Sequence, residues 1–170
     1  MLKLSGFVLL QISALLFACR KNELEKRKTE IAASFCVMLE QLLGLLERES
    51  SPMPELLRTL SERVDVTAGS FVNALRDSLE TLGTYSFQEL WERAVDTLPP
   101  ESDREMIRIL KKPGAILGRY ELSRQLDAVN ECLHELRQQV EKQRQEQPQR
   151  ARLTLGLSLS GGLLLGILLI

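Results

Sequence analysis

The side chains that most often carry catalysis or bind metals are few in this chain and far apart. The one histidine, His134, has no second histidine with which to complete a metal site, and we expect it to face solvent. Cys19, Cys36 and Cys132 are odd in number and lack metal or redox spacing, so we expect thiols that are buried or face a membrane. No phosphate-binding loop, nucleophile elbow or glycine-rich dinucleotide turn occurs. The sequence therefore predicts a protein that is not an enzyme and has no metal, cofactor or small-molecule substrate.

Charge is distributed unevenly along the 170 residues. The formal net charge is −1, from 22 Lys and Arg and 23 Asp and Glu, so no overall basic field points to nucleic acid. Every charged side chain except Lys3 lies between Arg20 and Arg152. This distribution argues against a freely soluble enzyme and predicts a charged region between two membrane segments.

The two apolar ends are each long enough to be read as membrane spans. Residues 153–170 carry no charge, and at about 1.5 Å per residue they form a helix of about 27 Å, close to the thickness of the hydrocarbon core. Cations follow the first apolar segment and precede the second, and such flanks tend to stay in the cytoplasm. We therefore predict an N-terminal transmembrane segment at 1–19, a cytoplasmic region at 20–152 and a C-terminal transmembrane segment at 153–170.

The first segment has an alternative interpretation. Residues 16–19, Leu-Phe-Ala-Cys, resemble a bacterial lipoprotein box, which would make Cys19 a lipidated N-terminus of an extracytoplasmic helical lipoprotein. The cations that follow Cys19, five within nine residues, oppose export, and the segment before them holds a single lysine. The membrane anchor is therefore the favoured interpretation.

The central region predicts an all-α fold, an antiparallel bundle of about six helices between the two transmembrane helices. Glycine and proline separate segments of helical periodicity, and no sustained alternation of apolar and polar residues predicts a strand. The first predicted helix covers 21–48 and continues from the first membrane segment, and the next two cover 54–64 and 70–82. A Ser86–Glu89 capping box opens the fourth, and a Ser102–Glu105 capping box opens the fifth, which ends at Lys112. The last covers 120–147 and is broken by Pro148.

The last predicted helix carries a heptad-like apolar stripe, which favours coiled-coil packing. Its members are Leu122, Leu126, Val129, Leu133, Leu136 and Val140. Trp91 lies at helical spacing with Leu90, Ala94 and Val95, so we expect it in the core rather than at an interface. The basic stretch 20–30 beside the first membrane segment predicts contact with membrane lipids.

Several short segments, each weak alone, together resemble one family. They are Ser-Pro-Met-Pro-Glu-Leu at 51–56, Leu90-Trp91 followed by Ala94, Leu-Lys-Lys-Pro-Gly at 110–114, Leu117-Gly118-Arg119, Gln125 in the last helix, and the apolar tail. In order and length the whole chain is similar to the stage III sporulation protein AB family of endospore-forming bacteria. It departs from the family pattern at Tyr120-Glu121, where the family usually has Ser-Asp.

This resemblance implies a function. Members of the family resemble the cytoplasmic platform domains of type II secretion and type IV pilus inner-membrane proteins. The implied protein is a non-catalytic platform component of the secretion-like channel between mother cell and forespore, required for sporulation. It would lie in the mother-cell membrane around the forespore with its bundle facing the cytoplasm. Its implied partners are the sporulation secretion-type ATPase and other membrane proteins of the same channel operon. The candidate partner-binding residues are Pro52, Pro54, Glu55, Gly114, Leu117, Gly118, Arg119 and Gln125.

Two further functions are compatible with the length and helical character. A tail-anchored, apoptosis-regulator-like binding protein is one, but its Asn-Trp-Gly-Arg signature is missing and it would leave the N-terminal apolar segment unexplained. A membrane hydrolase with an unrecognised site is the other, and nucleotide turnover by the purified protein would support it. The platform component is the leading hypothesis.

Overall fold

The computed structural model describes the backbone of residues 2–48 and 52–169, and the side chains of 12–13, 16–48, 52–149, 153, 156 and 160. Over these residues the fold is all-helical, as predicted, apart from one isolated bridge between Leu82 and Tyr85. The helices are α1 (Leu2–Arg48), α2 (Met53–Arg63), α3 (Val66–Ser78), α4 (Phe87–Asp96), α5 (Arg104–Lys111) and α6 (Leu122–Leu169), with short 3-10 turns at Leu79–Thr81 and Pro113–Ala115.

The chain forms two compact units. One, which we call the bundle unit, is Glu30–Val140, and the other, the terminal unit, is Met1–Thr29 with Glu141–Ile170. At the centre of the bundle unit, the Phe71 ring lies edge-on to Phe35 (5.6 Å between centroids) and to Trp91 (5.1 Å). Trp91 is only 1% exposed, which confirms its predicted place in the core. Around these rings pack the predicted apolar faces, including Leu56, Leu57 and Leu60 of α2 and Met106, Ile109 and Leu110 of α5.

The terminal unit holds a polar cluster between α1 and α6, which we call the polar clasp. Thr29, 6% exposed, lies with its Oγ1 3.1 Å from the carbonyl oxygen of Glu25 and 3.2 Å from Oε1 of Gln143. Gln147 donates its Nε2–H groups to Oγ1 of Thr29 (3.0 Å) and to the Glu25 carbonyl (3.3 Å). The buried hydroxyl is therefore fully hydrogen-bonded, and α1 and α6 are joined by side-chain bonds within this unit.

Helix α3 begins at Val66, four residues earlier than the sequence predicts. The reason is an N-cap at Asp65, which also bonds a distant residue. Oδ1 of Asp65 accepts hydrogen bonds from the backbone N–H of Ala68 (3.0 Å) and from Oγ of Ser34 on α1 (2.6 Å). Burial raises the pKa of Asp65, but the hydrogen bonds from Ser34, Ala68 and Thr67 outweigh it and leave the pKa below its ordinary value. The charged form is thereby stabilised as the cap.

One of the two predicted capping boxes is confirmed and the other is wrong. Ser86 and Glu89 bond each other's backbone N–H groups at the start of α4, as predicted. At α5 the cap is instead Asp103, whose Oδ1 accepts from the N–H of Glu105 at 2.8 Å. Ser102 belongs to the preceding turn, its N–H bonded to the Pro99 carbonyl, and its buried hydroxyl has no hydrogen-bond partner in the described structure.

The predicted break of the last helix at Pro148 is also wrong, because α6 continues through it to Leu169. A proline inside a helix removes one backbone hydrogen bond, from its own position to the carbonyl four residues earlier. The residue whose carbonyl loses this bond is Arg144, and both it and Pro148 are exposed. Along the predicted stripe Val129, Leu133, Leu136 and Val140 are buried and Leu126 is half-buried, whereas Leu122 is 47% exposed.

One stretch of the described chain, Leu16–Arg48, is long and apolar enough to cross a bilayer. More than half of its most apolar part is buried inside the protein, as in the core helix of a soluble bundle, so this finding is weak support for a membrane span. The predicted transmembrane segments at 1–19 and 153–170 lie largely outside the residues whose side chains are described. They remain predictions.

Candidate functional site

Five of the predicted partner-binding residues meet at one place in the bundle unit, the segment between α5 and α6. We call residues 112–121 the connector. It begins where Pro113, which has no N–H, prevents α5 from continuing past Lys112, as the sequence predicts. The 3-10 turn Pro113–Ala115 follows, and α6 starts at Leu122. The connector must therefore supply other partners for the last carbonyls of α5.

Two side chains from distant helices supply those partners. The indole Nε1–H of Trp91 donates to the carbonyl oxygen of Leu110 at 2.7 Å, a buried bond between α4 and α5. The thiol of Cys132 on α6 donates to the carbonyl of Ile109 at 3.5 Å. Burial raises the pKa of Cys132 to about 12, with a smaller contribution from Glu135, so the thiol keeps the proton that it donates. The end of α5 is thus capped by side chains of α4 and α6.

Gly114 is required by the position of the same tryptophan. A Cβ atom at Gly114 would lie 2.6 Å from Cδ1, 2.7 Å from Cγ and 2.9 Å from Cβ of Trp91. Carbon atoms do not approach this closely without displacing one another, and the Trp91 side chain is held by its bond to Leu110. The glycine therefore allows the connector backbone to pack directly on the indole. Leu117, 1% exposed, belongs to the same core.

Gln125 fixes the second half of the connector. Its Oε1 accepts from the N–H of Gly118 at 3.2 Å, and its Nε2 donates to the carbonyl oxygen of Tyr120 at 2.6 Å. Gly118 adopts φ +74°, a left-handed conformation that residues with a side chain seldom adopt. The N–H of Arg119 bonds the Ile116 carbonyl at 3.3 Å. One amide side chain thereby holds the backbone on both sides of Arg119.

The exposed face of α4 lies close to Arg119. The pKa of Glu89 is held below its ordinary value by hydrogen bonds from the backbone and hydroxyl of Ser86, with smaller attractions from Arg93 and Arg119. The Arg93 guanidinium lies 3.8 Å from the centroid of the Tyr85 ring. Arg119 is exposed and forms none of the ion pairs found among the described residues.

The structure therefore divides the candidate residues by role. Gly114 and Leu117 are buried and Gln125 is half-buried and fully engaged, so these three shape the connector. Gly118 and Arg119 are exposed.

The other three candidates lie elsewhere. Pro52 is the N-cap residue of α2, Pro54 is in its first turn, and Glu55 bonds the Pro52 carbonyl at 3.0 Å through its backbone N–H. All three are exposed, and α2 packs on α3. None of them takes part in the hydrogen bonds that hold the connector together.

Sequence reasoning missed several residues of this region. The sequence predicts a core position for Trp91 and a buried or membrane-facing thiol for Cys132, but nothing near either residue in sequence indicates its hydrogen bond to an α5 carbonyl. Tyr120, Leu122 and Arg124 are exposed at the end of the connector. Leu122 was expected to be buried because it continues a periodic stripe.

The remaining polar groups do not converge on a chemical centre in the described part of the chain. His134 is exposed, as expected, and its Nε2 lies 2.9 Å from Nε2 of Gln138. No three His, Cys, Asp or Glu side chains among the described residues are placed to hold a metal ion. What the connector offers chemically is an exposed surface that carries the guanidinium group of Arg119.

Comparisons with known proteins identify one family. Residues 3–170 match the family model described as stage III sporulation protein AB. A solved structure described as stage III sporulation protein AB superimposes with a TM-score of 0.63 at 18% sequence identity, covering 72% of this chain and 98% of that one. At this identity the structural match shows that the fold is shared. No curated protein sequence matches the chain.

Proposed function

Because the chain belongs to the stage III sporulation protein AB family, we propose that it is a non-catalytic membrane platform component of the secretion-like channel between mother cell and forespore. In this proposal the bundle unit faces the mother-cell cytoplasm and the segments 1–19 and 153–170 cross the membrane around the forespore. The bundle couples a cytoplasmic secretion-type ATPase to membrane proteins of the same channel.

The observation that carries the proposal is the continuity of α1 and α6. The two helices have 47 and 48 residues, and each runs without a break from a proposed membrane segment into residues of the bundle unit. Even Pro148, beside the second segment, leaves α6 continuous. A continuous helix transmits a displacement along its axis, because every turn is fixed to the next by hydrogen bonds, whereas a loop would absorb it.

The polar clasp supports the same mechanism. Thr29 and Gln147 join α1 to α6 through hydrogen bonds of 3.0–3.3 Å that include the Glu25 carbonyl. The clasp lies a few residues from Pro148, where α6 has lost one backbone bond. We infer that the clasp makes the two helices move together where they approach the membrane.

The first test is topology. In a cysteine-free background, a single cysteine replaces Ser70, an exposed residue of α3, and a second variant carries its only cysteine after Ile170. The variants are expressed in vegetatively growing cells, whose membrane faces the medium, and the intact cells are treated with a membrane-impermeant thiol reagent. We expect the Ser70→Cys protein to stay unlabelled until lysis and the C-terminal cysteine to react. Labelling of Ser70→Cys in intact cells would place the bundle outside the cytoplasm and overturn the coupling mechanism.

The second test separates coupling from assembly. The double variant Thr29→Val, Gln147→Leu removes the clasp and keeps similar side-chain volume. We expect it to co-purify with the ATPase as the parent does but to lower sporulation. The matched control is Gln145→Leu, since Gln145 is exposed on α6 and bonds Glu141 of the same helix. Normal sporulation by the clasp variant would contradict the proposal that the paired helices couple the ATPase to the membrane proteins.

A further inference from the structure

A small exposed patch of mixed character lies where the connector meets α6. We define the connector patch as Arg119, Tyr120, Leu122 and Arg124. Tyr120 is 49% and Leu122 47% exposed, and both arginines are exposed. The other large apolar side chains exposed on the described bundle unit, Val37, Val66 and Leu82, come from three separate segments. Single exposed apolar residues are ordinary, whereas this segment exposes two within three positions, flanked by arginines.

The backbone of the patch is held in one conformation before any partner arrives. Gln125 bonds both Gly118 and Tyr120, so the segment that presents Arg119 and Tyr120 has its main-chain groups fixed. The guanidinium of Arg124 lies 5.7 Å from the centroid of the Tyr120 ring, within the range of a cation–π attraction. A surface held in this way loses little conformational entropy on binding.

The arginines of the patch are available to a ligand. Five other cations of the bundle unit are engaged in ion pairs, namely Arg76 with Asp77, Arg108 with Glu105, Lys111 with Asp96, Lys112 with Glu135 and Arg137 with Glu40. Arg119 and Arg124 form no ion pair in the described structure. Glu89, whose carboxylate is weakly attracted by Arg119, already accepts hydrogen bonds from the N–H and hydroxyl of Ser86 at 2.7 and 2.9 Å.

We propose that the connector patch binds an acidic segment of a protein partner. Carboxylates of the segment would pair with Arg119 and Arg124, whose planar guanidinium groups suit bidentate binding, and an apolar side chain between them would pack on Tyr120 and Leu122. Tyrosine and arginine are the residues that most often dominate binding energy at such interfaces. Within residues 118–124 Glu121 is the single acid, so the segment keeps a net positive charge. The inference rests on the proposed function in taking the connector to face the cytoplasm.

The test uses the full-length protein in sporulating cells. A photoreactive benzoylphenylalanine replaces Leu122 in one strain and Leu82 in another. Leu82 is the control, since it is 53% exposed and apolar and lies outside the connector patch. After irradiation, the cross-linked peptide is identified by mass spectrometry. We expect Leu122, and not Leu82, to capture one protein segment that is rich in Asp and Glu.

Charge reversal then tests the chemistry. We expect Arg119→Glu with Arg124→Glu to lower the yield of that adduct about tenfold or more, as for the loss of close interfacial charge pairs. The same reversal at Arg58 and Arg63, which are exposed on α2 and outside the ion pairs of the described residues, should leave the yield unchanged. Replacing acids of the captured segment with lysine should restore the adduct in the reversed variant.

Several results would overturn the inference. The absence of an adduct at Leu122, or equal capture at Leu82, would do so. Capture of a neutral or basic segment, of lipid or of a second copy of this chain would also do so. So would an adduct yield that does not change on charge reversal. The topology measurement distinguishes a failure of the docking site from a failure of the proposed platform function. A cytoplasmic bundle without capture at Leu122 would remove the docking site and leave the platform function, whereas an external bundle would remove both.

Discussion

The indole N–H of Trp91 on α4 donates to the carbonyl oxygen of Leu110 at 2.7 Å, at the point where Pro113 stops α5. A core residue thus completes the C-terminus of a neighbouring helix. The bond is buried, so water cannot replace it when it is lost.

Trp91→Phe is therefore expected to destabilise the protein mainly through this one bond. Phenylalanine retains much of the ring packing against Phe71 but leaves the Leu110 carbonyl buried without a partner, at a cost of about 1–3 kcal/mol. Urea unfolding of the full-length protein in detergent, followed by circular dichroism, measures the change. An unchanged unfolding midpoint would show that the bond contributes little.

Replacing two different glycines with alanine should change the free energy of unfolding in opposite directions. Gly114→Ala places a methyl group within 2.9 Å of three Trp91 atoms and should lower the free energy of unfolding by about 1–3 kcal/mol. Gly44, within α1, has nothing within 4 Å of its Cβ position, so Gly44→Ala should raise it by about 0.5–1 kcal/mol. Equal signs in the same urea experiment would contradict the close approach of the connector to Trp91.

The start of α5 offers a comparison between neighbouring residues. Asp103→Ala removes the N-cap and should cost about 1 kcal/mol. Ser102→Ala removes a buried hydroxyl that has no partner in the described structure and should raise stability by up to about 1 kcal/mol. Thermal unfolding of the two variants shows which residue caps α5. A larger loss of stability for Ser102→Ala than for Asp103→Ala would support the capping box that the sequence predicts.

The lowered pKa of Glu89 should make the stability of the protein depend on pH. Its pKa in the folded protein lies below the ordinary value of 4.5, mainly because of the hydrogen bond from the backbone of Ser86. The stabilisation is therefore present above the ordinary pKa and is lost as the pH falls through the folded pKa. Glu89→Gln keeps the capping geometry without a titrating group. Its urea midpoint should fall less than that of the parent between neutral pH and about pH 3, and equal falls would contradict the assignment.

The three cysteines should differ in reactivity. Cys36 and Cys132 are 7% and 1% exposed, and the raised pKa of Cys132 keeps it protonated, whereas Cys19 is exposed. Iodoacetamide should modify Cys19 alone in the folded, detergent-solubilised protein, and all three after unfolding. Intact-protein mass spectrometry counts the adducts. A lipid mass on Cys19, with no reaction there, would support the lipoprotein interpretation.

The predictions from sequence succeeded where the signal is local. The apolar faces of α2, α4 and α5, the Ser86 cap and the stop at Pro113 each depend on residues within a few positions of one another. Some errors involve a distant partner, whereas those at Ser102 and Pro148 concern neighbouring residues. Helix α3 begins early at an Asp65 cap that Ser34, 31 residues before it, also bonds. Leu122 fits the heptad stripe, but no neighbouring element covers it.

The candidate site shows the same division. Proline, glycine and the resemblance to a family were sufficient to select Gly114, Leu117, Gly118, Arg119 and Gln125. They could not separate the buried residues that shape the connector from the exposed ones that a partner can reach, because that depends on which side chains of α4 and α6 fold over it.

The amino-acid sequence by itself determined the helical class, the apolar faces of the short helices and the proline that stops α5, since these follow from local periodicity and backbone chemistry. Tertiary structure decided how the end of α5 is completed, why Gly114 has no room for a side chain, and that Tyr120 and Leu122 remain exposed. Each of these depends on atoms brought together from distant parts of the chain, such as Trp91 and Leu110, 19 positions apart, which only packing places in contact.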